Sequence, residues 1–186
     1  IDLTGVELPL SKGAAERSEV APPPVRRRNL PPTLERKTLV PKTCVIPIYL
    51  PKVNDVFKEL RHLNVDSFPI ASASLLRAFI DTTTLEYVEK FKLEVRRNNA
   101  GQLELKPRIE ASIAHFSSQP GNREAGTVAK NQLLQISGAV FVDTLHLTLH
   151  SRLAHPIPDN LRLGWNMIEP FLSGMWAALD TLANRP

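Results

Sequence analysis

The sequence feature that most constrains the fold is a long amphipathic repeat in the last third of the chain. Apolar residues recur there in alternating steps of four and three, at Leu161, Trp165, Ile168, Leu172, Met175, Leu179 and Leu182. This spacing places one continuous apolar stripe along a helix. Pro158 and Asp159 suit its first turn. Pro170 is expected to kink the helix without ending it, because the stripe continues beyond it with unchanged spacing.

The stripe has two interpretations, an intramolecular core or an interface for a partner. Two tryptophans in the same helix, Trp165 and Trp176, favour a role in both. We therefore predict a dimer or docking interface formed by Leu161, Trp165, Ile168, Leu172, Met175 and Trp176. A purely intramolecular core is the alternative.

Helical periodicity also recurs through most of the preceding sequence. A helix from about Pro69 to about Lys92 is apolar on more than one face, which predicts a central position, and Asp66 and Ser67 are candidate caps. Further helices are predicted at residues 52–63, 105–116, 128–136 and 139–149, with an exposed loop at 117–126 and at most one edge strand at 44–50. The predicted class is an all-α bundle of five to six helices.

Composition predicts one folded domain preceded by a linker. With 186 residues, of which 42% are hydrophobic, the chain can form one compact core. Residues 1–42 contain 7 of the 16 prolines and few regularly spaced apolar residues, so we expect a disordered proline-rich linker there and the domain at residues 43–186. Because the sequence starts at Ile1 rather than methionine, we expect a larger parent protein.

The net charge of +4 comes from one part of the chain. Residues 26–42 hold six Arg and Lys residues and one Glu, a local charge of +5, so the remainder sums to about −1. This basic segment is either a phosphate-binding tether or a solvated linker. No apolar run is long enough to span a membrane, the single Cys44 is typical of a reducing cytoplasm, and no glycine-rich nucleotide loop or other cofactor motif occurs.

A polar turn at residues 144–156 contains the candidate chemistry. His146 and His150 are spaced i,i+4, which suits metal ligands on a helix, but no adjacent Glu or second ligand cluster accompanies them. A second interpretation is metal-free RNA cleavage, in which His155 transfers a proton and Arg152 stabilises the developing charge. A third is structural, because His and Arg at a helix end bind the last free carbonyl groups.

Two stretches of the sequence show a resemblance to a known family. They are residues 63–81, which contain Leu-Leu-Arg-Ala-Phe-Ile-Asp at 75–81, and residues 149–176, which contain His155-Pro156 and the start of the long closing helix. Together they resemble the HEPN superfamily, and particularly the HEPN-like carboxy-terminal modules of multidomain bacterial proteins, some in phage-defence or toxin settings. The resemblance implies a four-helix core and a homodimer whose two polar turns face one cleft.

Active members of that superfamily carry an Arg, usually followed by Asn, with four to six residues between the Arg and a following His. When the family His is aligned on His155, His150 and Ser151 fall at the Arg and Asn positions and match neither, and only two residues separate Arg152 from His155. The resemblance therefore implies a non-catalytic module for dimerisation or docking, with RNA as a ligand of a degenerate cleft. The alternative is a metal-independent endoribonuclease that uses His155 with Arg152 or His150.

Two further residues are candidates for substrate binding. Arg77 and Asp81 lie one turn apart in the predicted central helix. They line the cleft in one interpretation and form a stabilising i,i+4 ion pair in the other.

Overall fold

The computed structural model describes residues 34–184, apart from the side chain of Leu149. Six α-helices form in this range: α1 (Pro51–His62), α2 (Pro69–Lys90), α3 (Leu105–Ser118), α4 (Arg123–Leu134), α5 (Val142–His150) and α6 (Pro158–Ala183). Residues 34–184 contain no strand, only the isolated bridges Thr38–Asn64 and Arg97–Leu103. The all-α class is thus confirmed for this part of the chain.

Helix α2 is the centre of the bundle, as its composition predicts. It packs against α1, α3, α5 and α6, so apolar residues on several of its faces are buried. The predicted caps are wrong: the N-cap of α2 is Phe68, and no side chain caps the helix. Asn64 shapes the preceding turn instead, because its Oδ1 accepts hydrogen bonds from the amides of Asp66 and Ser67 at 3.0 and 3.3 Å.

Helix α6 runs unbroken through Pro170, as the continuous stripe predicts. Its stripe faces the interior of the chain's own bundle. The six residues predicted to form a partner interface are each at most 2% exposed: Leu161, Trp165, Ile168, Leu172, Met175 and Trp176. We therefore correct the interface assignment in favour of an intramolecular core, because none of these side chains reaches the surface.

Aromatic rings join three helices at the centre of this core. The rings of Phe57 and Phe79 stack with centroids 5.5 Å apart, and Trp165 lies 6.1 Å from Phe79 and 6.3 Å from Phe57. All three side chains are at most 3% exposed. Their contact connects α1, α2 and α6 into one apolar cluster, which large aromatic surfaces stabilise strongly.

The folded unit begins earlier than the sequence predicts. Leu39 and Val40, assigned to the linker, are fully buried, and the amide of Val65 donates to the carbonyl of Lys37 at 2.8 Å. Residues 34–42 therefore belong to the bundle, whereas the rest of the predicted linker lies outside the described residues. No strand forms at residues 44–50, where Ile46 is buried in the core.

The exposed loop between α3 and α4 is shorter than predicted. Helix α3 continues to Ser118 and α4 begins at Arg123. Gly126 lies inside α4, at a point where α3 and α4 approach closely. A Cβ atom at this position would lie 2.0 Å from the Oγ of Ser117, so the glycine is a packing residue rather than a loop residue.

Candidate functional site

The second half of the polar turn, residues 151–156, lies in the connection between α5 and α6, whereas residues 144–150 belong to α5. The amide of Ser151 donates to the carbonyl of Leu147 at 2.7 Å and ends α5. The Oγ of Ser151 then accepts hydrogen bonds from the amides of Leu153 and Ala154 at 3.2 and 3.3 Å. Ser151, which falls at the family's Asn position, thus shapes the turn.

The three candidate catalytic residues, His150, Arg152 and His155, are exposed on this connection. The ring of His150 lies 4.4 Å from that of His146, centroid to centroid. Within residues 34–184, no hydrogen bond or ion pair orients the side chain of Arg152 or His155. A general acid must be held at its target by its surroundings, and the described residues of one copy provide no such positioning.

The histidines do not form the core of a metal site in this part of the chain. No group of three or more His, Cys, Asp or Glu residues is arranged to bind a metal ion among the described residues. His146 and His150 would supply two ligands of the four that a structural zinc site requires.

The candidate substrate-binding residues Arg77 and Asp81 do not pair with each other. The carboxylate of Asp81 forms an ion pair with Nη2 of Arg108, whose Nη1 also donates to the Asp81 carbonyl at 3.1 Å. This contact links α2 to α3. Arg77 is half-buried and its Nε has no hydrogen-bond partner in the part of the chain that the structure describes. The predicted Arg77–Asp81 ion pair is therefore not formed.

Sequence analysis missed a set of exposed apolar side chains around the same connection. Leu147, Leu153, Ile157 and Leu163 are 54%, 89%, 59% and 43% exposed. We call these four residues the α5–α6 surface. Leu147 belongs to the apolar helix predicted at residues 139–149, and the sequence signal for its exposure was an excess of apolar residues over what one helix face can bury.

Cys44 is unsuited to nucleophilic chemistry. Its thiol donates to Oε1 of Glu169 at 3.8 Å, and the same oxygen accepts from Oγ of Ser173 at 2.6 Å. Burial, reinforced by the negative charge of Glu169, raises the pKa of Cys44 to about 11. The thiolate, which is the reactive form, is therefore scarce at neutral pH.

Comparison with known proteins gave no match: no protein-family model, curated protein or solved structure is significantly similar to the chain. Within residues 34–184, no helix has the length and apolar character that crossing a membrane requires. The residues described above are therefore the basis for assigning a function.

Proposed function

We propose that the chain is a non-catalytic HEPN-like helical module of a larger bacterial protein, and that it pairs with a second copy through the α5–α6 surface. The helix order supports the HEPN-like type, since central α2 carries the sequence 75–81 and the polar turn separates α5 from long α6. The observation that carries the proposal is the exposure of four large apolar side chains around that turn.

Exposure of this kind favours association. Single exposed leucines are ordinary, whereas contiguous exposed apolar side chains are typical of interaction surfaces, and we propose that these four residues form such a patch. Leu153 and Ile157 lie on the connection itself and are exposed, since none of the six described helices covers them. Fully burying an exposed Leu or Ile side chain contributes about 1.5–3 kcal/mol. Since Leu147, Ile157 and Leu163 are already partly buried, each contributes only part of this amount, and the eight side chains of a symmetric pair together offset part of the entropic cost of association.

A second copy is the partner that this surface suits best. A two-fold interface uses the same surface on both chains, so an apolar segment faces an apolar segment. Such a pair also brings the two His155 turns together, which is the arrangement that the HEPN resemblance implies. The absence of an Arg at position 150 and the exposed, unoriented Arg152 support a binding role rather than catalysis.

Charge substitution in the full chain tests the proposal. We expect the double variant Leu153→Glu, Ile157→Glu to weaken self-association at least about 100-fold, equivalent to about 2.7 kcal/mol, in sedimentation equilibrium. Ile136→Glu is the matched control, because Ile136 is 87% exposed and lies on another connection. Helicity by circular dichroism should be unchanged in both variants.

Two outcomes contradict the proposal. One is a double variant that associates as strongly as the unmodified chain. The other is dissociation by Phe68→Glu alone, since Phe68 is 55% exposed at the N-cap of α2, a helix that lines an apolar groove together with α1. That result would place the interface on α1 and α2.

A further inference from the structure

A second surface, on α3 and α4, has the properties of a ligand site. A groove of about 640 Å³ runs between these two helices. We call it the α3–α4 groove. Its charged rim consists of Lys106, Glu110, Arg123 and Lys130, and its remaining lining residues are Ile113, Ala114, Ser117, Gly126, Thr127, Leu134 and Gln135. Sequence analysis gave no indication of it, because the cations are far apart along the chain.

The positive charges of the groove are not used in folding. Lys106, Arg123 and Lys130 are all exposed, and none forms an ion pair within residues 34–184. Other cations of the bundle form ion pairs, Arg108 with Asp81 and Arg162 with Asp66. Three free cations against the single carboxylate of Glu110 leave the groove with a positive field that attracts anions.

The spacing of the cations indicates an extended ligand. Arg123 and Lys130 are seven residues apart on α4, which places them on one face about 10 Å apart along the axis. Lys106 lies on the facing helix. One phosphate group meets all three cations only if their side chains bend toward a common point, whereas a row of anions can meet each cation separately. The matching ligand therefore carries several anionic groups in a row.

The interior of the groove adds chemistry that such a ligand can use. Ile113 and Leu134 form apolar walls, while Ser117, Thr127 and Gln135 supply hydroxyl and amide groups. Apolar walls suit a base or sugar, and the polar groups suit hydrogen bonds to base edges or ribose hydroxyls. We propose that the α3–α4 groove binds single-stranded nucleic acid, with the phosphates on the three cations.

A phosphodiester chain fits the groove better than an acidic peptide does. It carries one charge per nucleotide whatever its sequence, so each cation meets an anion. A peptide must place an acidic residue at every matching position. The assignment goes beyond the dimer proposed above and does not depend on it, because the groove lies on α3 and α4 rather than on α5 and α6.

Anisotropy titration of the full chain with a fluorescein-labelled oligouridylate of about ten nucleotides tests this assignment. We expect the triple variant Lys106→Gln, Arg123→Gln, Lys130→Gln to lower affinity at least about 30-fold at low salt, and to reduce the log–log salt slope by about 2. The matched control replaces three exposed lysines elsewhere, Lys52, Lys58 and Lys92, with Gln. This control has the same net charge as the groove variant, and its affinity for the oligonucleotide should fall by less than about three-fold.

A variant that removes a negative charge from the groove distinguishes effects on binding from effects on folding. Glu110→Gln removes the one carboxylate among the described residues that line the groove, and should raise affinity about two- to five-fold, the range of an exposed charge interaction. A destabilised fold would not raise affinity. Leu153→Glu, Ile157→Glu should leave affinity within about two-fold, so failure of the dimer proposal and failure of this one are distinguishable.

Three results would overturn the assignment. The first is equal loss of affinity in the groove triple variant and in the lysine control, which would indicate diffuse electrostatic attraction. The second is unchanged affinity in the groove variant, which would transfer binding to the basic residues 26–42. The third is stronger binding of a labelled polyglutamate than of the oligonucleotide, which would make the ligand an acidic protein. A deoxyribose version of the probe shows whether the 2′-hydroxyl contributes.

Discussion

Nη2 of Arg162, in the first turns of α6, donates to the carboxylate of Asp66 at 2.5 Å, although 96 residues separate the two in sequence. Nη1 of the same guanidinium donates to Asp159 at 2.8 Å, and its Nε donates to the carbonyl of Arg36 at 2.7 Å. The Arg162 side chain is only 4% exposed. One buried cation thus joins the first described residues, the turn before α2 and the start of α6.

Replacement of Arg162 should therefore loosen the chain's first packed segment. We expect Arg162→Met to lower the free energy of unfolding by about 2–4 kcal/mol, because three hydrogen bonds of a charged group are lost together. Urea unfolding measures the change, and limited proteolysis should show earlier cleavage between residues 35 and 42. Arg152→Met is the matched control, since Arg152 is exposed and should change stability by less than about 0.5 kcal/mol.

Gly174 allows α6 to lie directly against Phe116. A Cβ atom at position 174 would lie 2.7 Å from two carbons of the Phe116 ring. An alanine in a helix is normally stabilising by about 1 kcal/mol relative to glycine. Here we expect Gly174→Ala to destabilise the chain by about 1–3 kcal/mol through overpacking. Thermal unfolding measures this loss of stability. If Gly174→Ala destabilises a Phe116→Leu background by the same amount, the Phe116 ring is not the cause.

The indole of Trp176 depends on Thr83 for its hydrogen bond. Its Nε1 donates to Oγ1 of Thr83 at 3.1 Å, and both residues are fully buried. Thr83→Val keeps the shape but leaves the indole N–H without an acceptor, so we expect a loss of about 1–3 kcal/mol in chemical denaturation. Thr84→Val is the control. The hydroxyl of Thr84 donates to the Ile80 carbonyl of the same helix at 2.9 Å, and its loss should cost less than about 1 kcal/mol. Equal losses would contradict the account.

Cys44 makes the fold sensitive to alkaline pH. Its pKa is about 11 in the folded chain, against 9.0 for an ordinary thiol. The unfolded chain therefore binds fewer protons between these values, and stability falls as pH rises from about 9 to about 11. We expect Cys44→Ala to reduce this fall in denaturation curves recorded across that range. In the unmodified chain, alkylation by iodoacetamide at pH 8 should be about 100-fold slower than for a free thiol. A rate equal to that of free cysteine would contradict the environment described for Cys44.

The long helices were predictable from sequence because their apolar spacing persists over many turns. Helix α2 begins at Pro69 and α6 at Pro158, as their proline signals indicate. The spacing of an apolar stripe does not show whether the chain's own helices or a partner cover it. Periodicity could not show that Trp165 faces Phe57 and Phe79 of the same chain rather than a partner.

The contacts that were not predicted join residues that are far apart in sequence. Asp81 and Arg108 are 27 residues apart, so no local pattern connects them, whereas Arg77 and Asp81 look paired at i,i+4. Prolines and charges around residues 34–42 resemble a linker, yet Leu39 within that stretch is fully buried. The polar turn is confirmed only at residues 151–156, because residues 144–150 continue α5; Pro156 and Pro158 mark the break before α6.

The mass of the full chain in solution is the measurement that tests the proposed pairing most directly. Light scattering should be recorded across a concentration series at moderate salt, without truncation, because residues 34–42 pack into the bundle. We predict a concentration-dependent rise from the monomer mass of 20.7 kDa to twice that value. The Leu153→Glu, Ile157→Glu variant should remain at the monomer mass. A constant 20.7 kDa for the unmodified chain at every concentration would contradict pairing through the α5–α6 surface.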